Sequence, residues 1–203
     1  MAPGQPRITL RPLPYETALE ARRARVVDLL VIHCTELPDL DTARSYGESV
    51  LYRASGTGNS GHYYIDRDGR IEQWVEPLRT AHHVRGFNER SIGIELVNLG
   101  RYPDWLHSKN QEMQDPYPAE QIDSLLGLVR HLCFSLPALQ WLAGHEELDR
   151  ERVPASDRPS QTVYRKRDPG PLFPWPRLEG ECPLKRLKQP GETASQPNGG
   201  PPG

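Results

Sequence analysis

The chain has 203 residues, with 25 Lys and Arg against 27 Asp and Glu for a net charge of -2. That length suggests one domain plus trimmings and is enough to bury a core. The scattered basic residues exclude the electrostatic footprint of a nucleic-acid binder, and no stretch reaches the length of a transmembrane helix.

Residues 1–25 read as an N-terminal arm rich in Pro and Arg, with a short helical stretch from Tyr15 to Ala24. Met1 to Arg7 lacks the apolar core of a secretory signal. The expected compartment is therefore the cytoplasm, with the periplasm as the alternative. The three cysteines, Cys34, Cys133 and Cys182, lie far apart. They form neither a disulfide framework nor a Cys-x-x-Cys metal site.

Val26 to Thr35 is apolar and branched, then closes on His33. Its length and β-branching predict a buried strand. Side chains alternate along a strand, so His33 shares a face with Val27, Leu29 and Val31. A histidine there is either a core residue satisfied by a carbonyl or part of a site at the carboxyl end of the sheet. Asp41 or Thr42 is then expected to cap a helix to about Arg53, with Ala43, Tyr46, Val50, Leu51 and Ala54 at helical spacing. Residues 56–61 form a Gly-rich loop, and His62 to Val75 carries two short strands around Asp68-Gly69, a hairpin signal.

Ser91 to Asn98 is the next predicted strand. Ile92, Ile94 and Leu96 point one way; Gly93, Glu95 and Val97 point the other. A charged carboxylate inside an apolar strand costs several kcal/mol if unpaired. Glu95 thus has a cationic partner, a solvated groove, a raised pKa, or simply an edge facing water. Residues 100–118 read as a long polar loop, either a groove wall or a small cluster of Tyr102, Trp105 and Tyr117. Pro118 opens the longest helix, to about Ser135, with the stripe Ile122, Leu125, Leu126, Val129, Leu132 and Cys133. His131 is expected at its surface. Leu139 to Ala143 repeats the opening pattern, a short strand ending at His145. A charged excursion (147–164) leads to Lys166-Arg167-Asp168-Pro169-Gly170, a turn with Asp168 at its centre. One more short helix is expected from Phe173, and residues 181–203 read as a disordered tail.

Two histidines that close strands, plus one Asp, would leave the fourth position of a tetrahedral zinc open for water. A separate carboxylate such as Glu95 could then act as general base. These ligands are dispersed, so spacing alone does not establish the set.

At this point the chain resembles a known family, the zinc-dependent N-acetylmuramoyl-L-alanine amidases of the type 2 group, which share a fold with phage amidases and peptidoglycan-recognition proteins. The resemblance lies in Leu30 to Thr35, His62 to Gly69, His83-Val84-Arg85-Gly86-Phe87-Asn88 leading into Ser91 to Leu96, Gly144-His145-Glu146, and Lys166 to Pro171. It implies an α/β fold with a mixed central sheet flanked by helices, a zinc amidase domain over residues 26–180, and Zn2+ held by His33, His145 and Asp168. It implies Glu95 as general base and Lys166 as the cation near the oxyanion, with His83, Arg85 and Asn88 lining the substrate groove. A tyrosine that assists catalysis in certain phage relatives corresponds here to Gly61. The segment between His83 and Ser91 is short, as in phage members, and the 147–164 excursion is longer than usual. The implied ligands are peptidoglycan fragments or muropeptides, without nucleic acid or membrane span, and the expected state is a monomer. The alternatives are a recognition module without catalysis and a lytic protein that also binds another enzyme. Outside the implied zinc set, His62 is expected to be structural, and His82 and His107 are expected at the surface.

Overall fold

Short apolar runs broken by Gly, Pro and Asp turns fold here into strands only a few residues long. In the computed structural model, which describes residues 6–187, the strands are β1 (Ile8–Leu10), β2 (Leu29–Cys34), β3 (Tyr63–Ile65), β4 (Ile71–Gln73), β5 (Ser91–Leu96), β6 (Trp141–Gly144), β7 (Arg152–Pro154), β8 (Thr162–Tyr164) and β9 (Lys185–Arg186). The helices are α1 (Leu40–Gly47), α2 (Ala119–Ser135), α3 (His145–Leu148) and α4 (Trp175–Glu181). The main sheet runs β1-β4-β3-β5-β2-β6-β9. Within it β3 and β4 are antiparallel and every other pairing is parallel. The sheet is therefore mixed, with helices packed on it.

β2 is central because it is apolar on both faces, and all six of its residues are buried. Leu30 and Ile32 join Ile92, Ile94 and Leu96 of β5 in one core beneath α2. Leu29 and Val31 pack on the other face with Val84 and Ala143. α2 buries Ile122, Leu125, Leu126, Leu128, Val129 and Leu132, and it also buries Gln121. The Gln121 amide donates to the carbonyls of Ile65 and Val97, joining the helix to two strand ends. Cys133, expected in the stripe, is only half-buried against this core, and His131 is half-buried rather than exposed.

Several elements differ from the sequence expectation. α1 is capped by Asp39, whose Oδ1 accepts from the Thr42 amide at 2.6 Å, and it stops at Gly47 rather than near Arg53. An alanine Cβ at Gly47 would lie 3.1 Å from the Trp74 ring, so helix and indole meet closely there. Tyr46, Val50 and Leu51 are exposed, so their helical spacing marks no core face. The stretch from Tyr15 to Ala24 contains one short 3-10 turn, Glu16–Ala18, and a second turn follows at Ala24–Val26. Both ends of the described chain join the sheet. β1 pairs with β4, and β9, inside the segment expected as tail, pairs with β6. Residues 188–203, the rest of that tail, lie outside the described residues. The 147–164 excursion folds into the antiparallel hairpin β7–β8. Among the described residues no helix is long and apolar enough to cross a membrane.

Candidate metal centre

Strand register assembles the site. β2 is paired on both sides, with His33 opposite Glu95 of β5 and Ile32 opposite Gly144 of β6. One residue further on, His145 begins α3 beside His33. Paired residues on parallel strands project to the same face, so His33, Glu95 and His145 meet at the carboxyl ends of three adjacent strands. Asp168 arrives from the loop after β8. Its carbonyl accepts from the Glu146 amide at 2.9 Å, tying that loop to α3.

One donor atom each from His33, His145 and Asp168 lies within 4.8 Å of the others, and all three residues are buried. Asp168 Oδ2 sits 2.9 Å from His33 Nδ1 and 3.0 Å from His145 Nδ1. Asp168 Oδ1 is buried without a hydrogen-bond partner. A single carboxylate oxygen between two ring nitrogens, beside an orphaned one, is a poorly satisfied arrangement for a core and a suitable one for a cation. Two imidazoles and a carboxylate are a zinc-type donor set, and these residues fit that ion.

Burial, with His145 adding, lowers the His33 pKa to about 4, so its ring is neutral, as a ligand must be. Burial alone would raise the Asp168 carboxyl, but the adjoining His145 ring, and then His33, hold it well below the usual range. Glu95 Oε1 lies 3.9 Å from His33 Nδ1. Burial pushes the Glu95 carboxyl well above its usual range, Asp168 adds to that, and Lys166 opposes it. Lys166 and Glu95 both line a cavity of about 590 Å³ that opens onto the three donors.

The three residues expected in the groove differ in what they touch. His83 lines the cavity, but its Nδ1 is 3.0 Å from His33 Nε2 and its Nε2 is 3.2 Å from Ser91 Oγ. With His33 Nδ1 turned to the donor cluster, Nε2–H donates to His83, His83 Nε2–H donates to Ser91, and the Ser91 hydroxyl donates to the Phe87 carbonyl at 2.8 Å. This chain fixes the tautomer of a candidate ligand. Arg85 is exposed at the rim and ion-paired with Glu151 at 2.9 Å. Asn88 also lines the cavity, but its Oδ1 accepts from the amides of His83 and Val84 and so staples the loop. Gly61 abuts Glu95: a Cβ there would lie 2.7 Å from Glu95 Cγ, so a tyrosine at that position would displace the carboxylate.

His62 is fully buried. Its Nδ1 accepts from the Gly93 amide at 3.0 Å, and its Nε2–H donates to the Arg79 carbonyl at 3.0 Å. Burial and then the adjacent Arg22 guanidinium hold its pKa well below the usual value. His82, expected at the surface, is half-buried and presents its ring to Tyr52 on the cavity wall. His107 is half-exposed, 3.8 Å from Asp157. Ser91 and Arg22 carry no local sequence signal of these roles. The first looks like an ordinary strand residue, and the second lies in a segment expected to be an arm.

A buried His-His-Asp cluster at the carboxyl ends of a mixed sheet, with a carboxylate in register beside it, defines a candidate hydrolytic metal centre. Residues 23–171 match the N-acetylmuramoyl-L-alanine amidase family, and the chain belongs to that family. It is 30% identical over 167 residues to N-acetylmuramoyl-L-alanine amidase AmiD of Escherichia coli K12, covering 75% of this chain and 52% of that protein. It is also 30% identical over 139 residues to 1,6-anhydro-N-acetylmuramyl-L-alanine amidase AmpD of Salmonella typhimurium LT2, covering 64% of this chain and 60% of that one. The chain thus spans between half and two thirds of the length of these curated relatives. A solved structure of the E. coli AmiD enzyme with anhydro-N-acetylmuramic acid-L-Ala-D-gamma-Glu-L-Lys superposes with a TM-score of 0.56 at 25% identity, covering 79% of this chain and 58% of that one.

Proposed function

We propose that this protein is a zinc hydrolase that cleaves the amide between the lactyl group of N-acetylmuramic acid and L-alanine in peptidoglycan or muropeptides. The observation that carries this reading is the register-driven meeting of His33, His145 and Asp168 with Glu95 beside them. Family membership supports this scissile bond, and the two amidase relatives and the AmiD ligand support a muropeptide as substrate. Zinc held by His33, His145 and Asp168 would supply a Lewis acid able to acidify water toward a pKa of about 7.

The chain's own residues do the rest. Glu95, with its raised pKa, is poised to take a proton from the attacking water and return it to the leaving L-alanine amine. Lys166 brings a fixed positive charge to the cavity, where it stabilises the developing oxyanion. His83 and Ser91 keep the His33 ring oriented and in one tautomer. The Asn88 staple holds the His83 loop over the site.

Mass spectrometry of products tests this. The zinc-loaded protein is incubated with a soluble anhydro-muropeptide and, separately, with purified sacculi. Release of a peptide beginning with L-alanine supports the reading, and the substrate that yields it separates recycling from wall degradation. With zinc bound and no release from either, the site would instead be a recognition module.

A further inference from the structure

We propose that Glu36 and Arg101 form a positioning clamp that sets the Lys166–Asp168 segment against the carboxyl end of β2. The inference rests on the metal-centre reading above and concerns two residues that line the same cavity but supply none of the three donor atoms.

Both side chains are almost fully withdrawn from water, Glu36 6% and Arg101 2% exposed. Arg101 Nε donates to Glu36 Oε1 at 2.6 Å and its NH2 donates to Oε2 at 2.8 Å, a bidentate fork. The Arg101 amide also donates to Oε1 at 3.2 Å. The remaining guanidinium hydrogens go to the carbonyl of Tyr164 at 2.8 Å, the carbonyl of Arg165 at 3.3 Å and Gln111 Oε1 at 3.4 Å. All five guanidinium donors are therefore engaged.

The places joined give this pair its meaning. Glu36 follows His33 by three positions, at the end of the strand that carries the candidate ligand. Tyr164 and Arg165 immediately precede Lys166, and Asp168 follows two positions later. One guanidinium thus grips the β2 end with one edge and the start of the Lys166–Asp168 segment with another. Glu36 adopts φ 50°, an uncommon left-handed conformation for a residue with a side chain. The turn presents its carboxylate inward, and its carbonyl accepts from Trp105 Nε1 at 3.1 Å. Gly100 crosses so closely that a Cβ there would lie 2.6 Å from Glu36 Cγ.

A buried ion pair is a weak way to stabilise a fold, since an apolar pair of similar volume often does as well. What an apolar pair cannot do is hold two carbonyls at a fixed distance from a carboxylate. Neither residue supplies a donor atom to the centre, and their hydrogen bonds go to each other and to the chain just before Lys166, so both act as positioning residues and not catalytic ones.

The test uses the full chain and two variants: Glu36→Met/Arg101→Met, which removes both charges, and Arg101→Lys, which keeps a charge but loses the fork. Chelator competition gives zinc affinity, muropeptide kinetics give kcat and KM separately, and thermal melts report folding. The double variant is expected to melt cooperatively near the wild type yet bind zinc about tenfold or more weakly. Its kcat is expected to fall about tenfold or more with KM little changed, as for lost positioning of reacting groups. Arg101→Lys should lose in the same two readouts and decides the matter if the double variant does not fold. Wild-type zinc affinity and kcat in a folded variant would overturn the clamp, leaving the pair a fold element only. A wild-type chain that takes up no zinc overturns the metal-centre reading and the clamp together.

Discussion

Replacing Gly93 with alanine puts a methyl group where the His83 ring lies. The added Cβ would sit 2.6 Å from His83 Cγ and 2.7 Å from Nδ1. Ordinary carbon contacts are about 3.5–4.0 Å, so the ring must retreat by about an ångström. His83 cannot do so and keep its partners. Its Nδ1 is 3.0 Å from His33 and its Nε2 is 3.2 Å from Ser91 Oγ, and a hydrogen bond stretched past about 3.6 Å is no longer one. Overpacking typically costs about 1–3 kcal/mol, and each lost hydrogen bond about 1 kcal/mol. The two terms together come to about 3–5 kcal/mol, and at about 2–4 °C per kcal/mol for a domain of this size the melting temperature should fall by about 6–20 °C. Loss of the His33 outer partner should weaken zinc binding by about 10–100-fold. Thermal melts and chelator competition on Gly93→Ala measure both. A variant with wild-type melting temperature and zinc affinity would refute the idea that His83 holds His33 in place.

Glu95→Gln should fold and keep zinc while losing about 10²–10⁴-fold in kcat, the usual range for a general base; substantial retained turnover would remove Glu95 from the mechanism. Asp168→Ala should abolish stoichiometric zinc uptake, read by metal analysis after dialysis, because it removes the carboxylate shared by both rings. The metal-free protein should lose stability as the pH falls from 7 to 5. The His62 pKa is lower folded than unfolded, so below about 6.5 the unfolded state binds more protons and stability declines with pH. His62→Gln should flatten that decline in the unfolding free energy, measured by urea titration, by up to about 1.4 kcal/mol per pH unit; an unchanged slope would show that His62 titrates alike in both states.

The strands that carry the site were legible because their patterns are local. The run into His33 and the alternation across Ile92, Ile94 and Leu96 specify which face each residue takes, and pairing β2 with β5 then aligns His33 with Glu95. The edge strands were not legible. Ile8–Leu10 and Lys185–Arg186 are too short to show a period, and they form only by pairing with β4 and β6. The β7–β8 hairpin lacks an Asn-Gly or Asp-Gly turn and carries a proline, so its charged sequence reads as loop. His83 illustrates a different limit. The sequence places it beside the groove, but its contact with His33 spans 50 residues and follows from how the loop closes over Gly93. Glu36 and Arg101, 65 residues apart, carry no sequence signal of pairing at all.

Metal-dependent cleavage at one centre is the most direct test of the proposed function. Chelator-stripped protein is titrated with zinc while release of an L-alanine-initiated peptide from an anhydro-muropeptide is followed by mass spectrometry. Release that rises to a plateau at one zinc per chain, and is absent in Asp168→Ala at the same zinc level, is the predicted result. Release by the stripped protein, or by Asp168→Ala as fast as by the wild type, would contradict it.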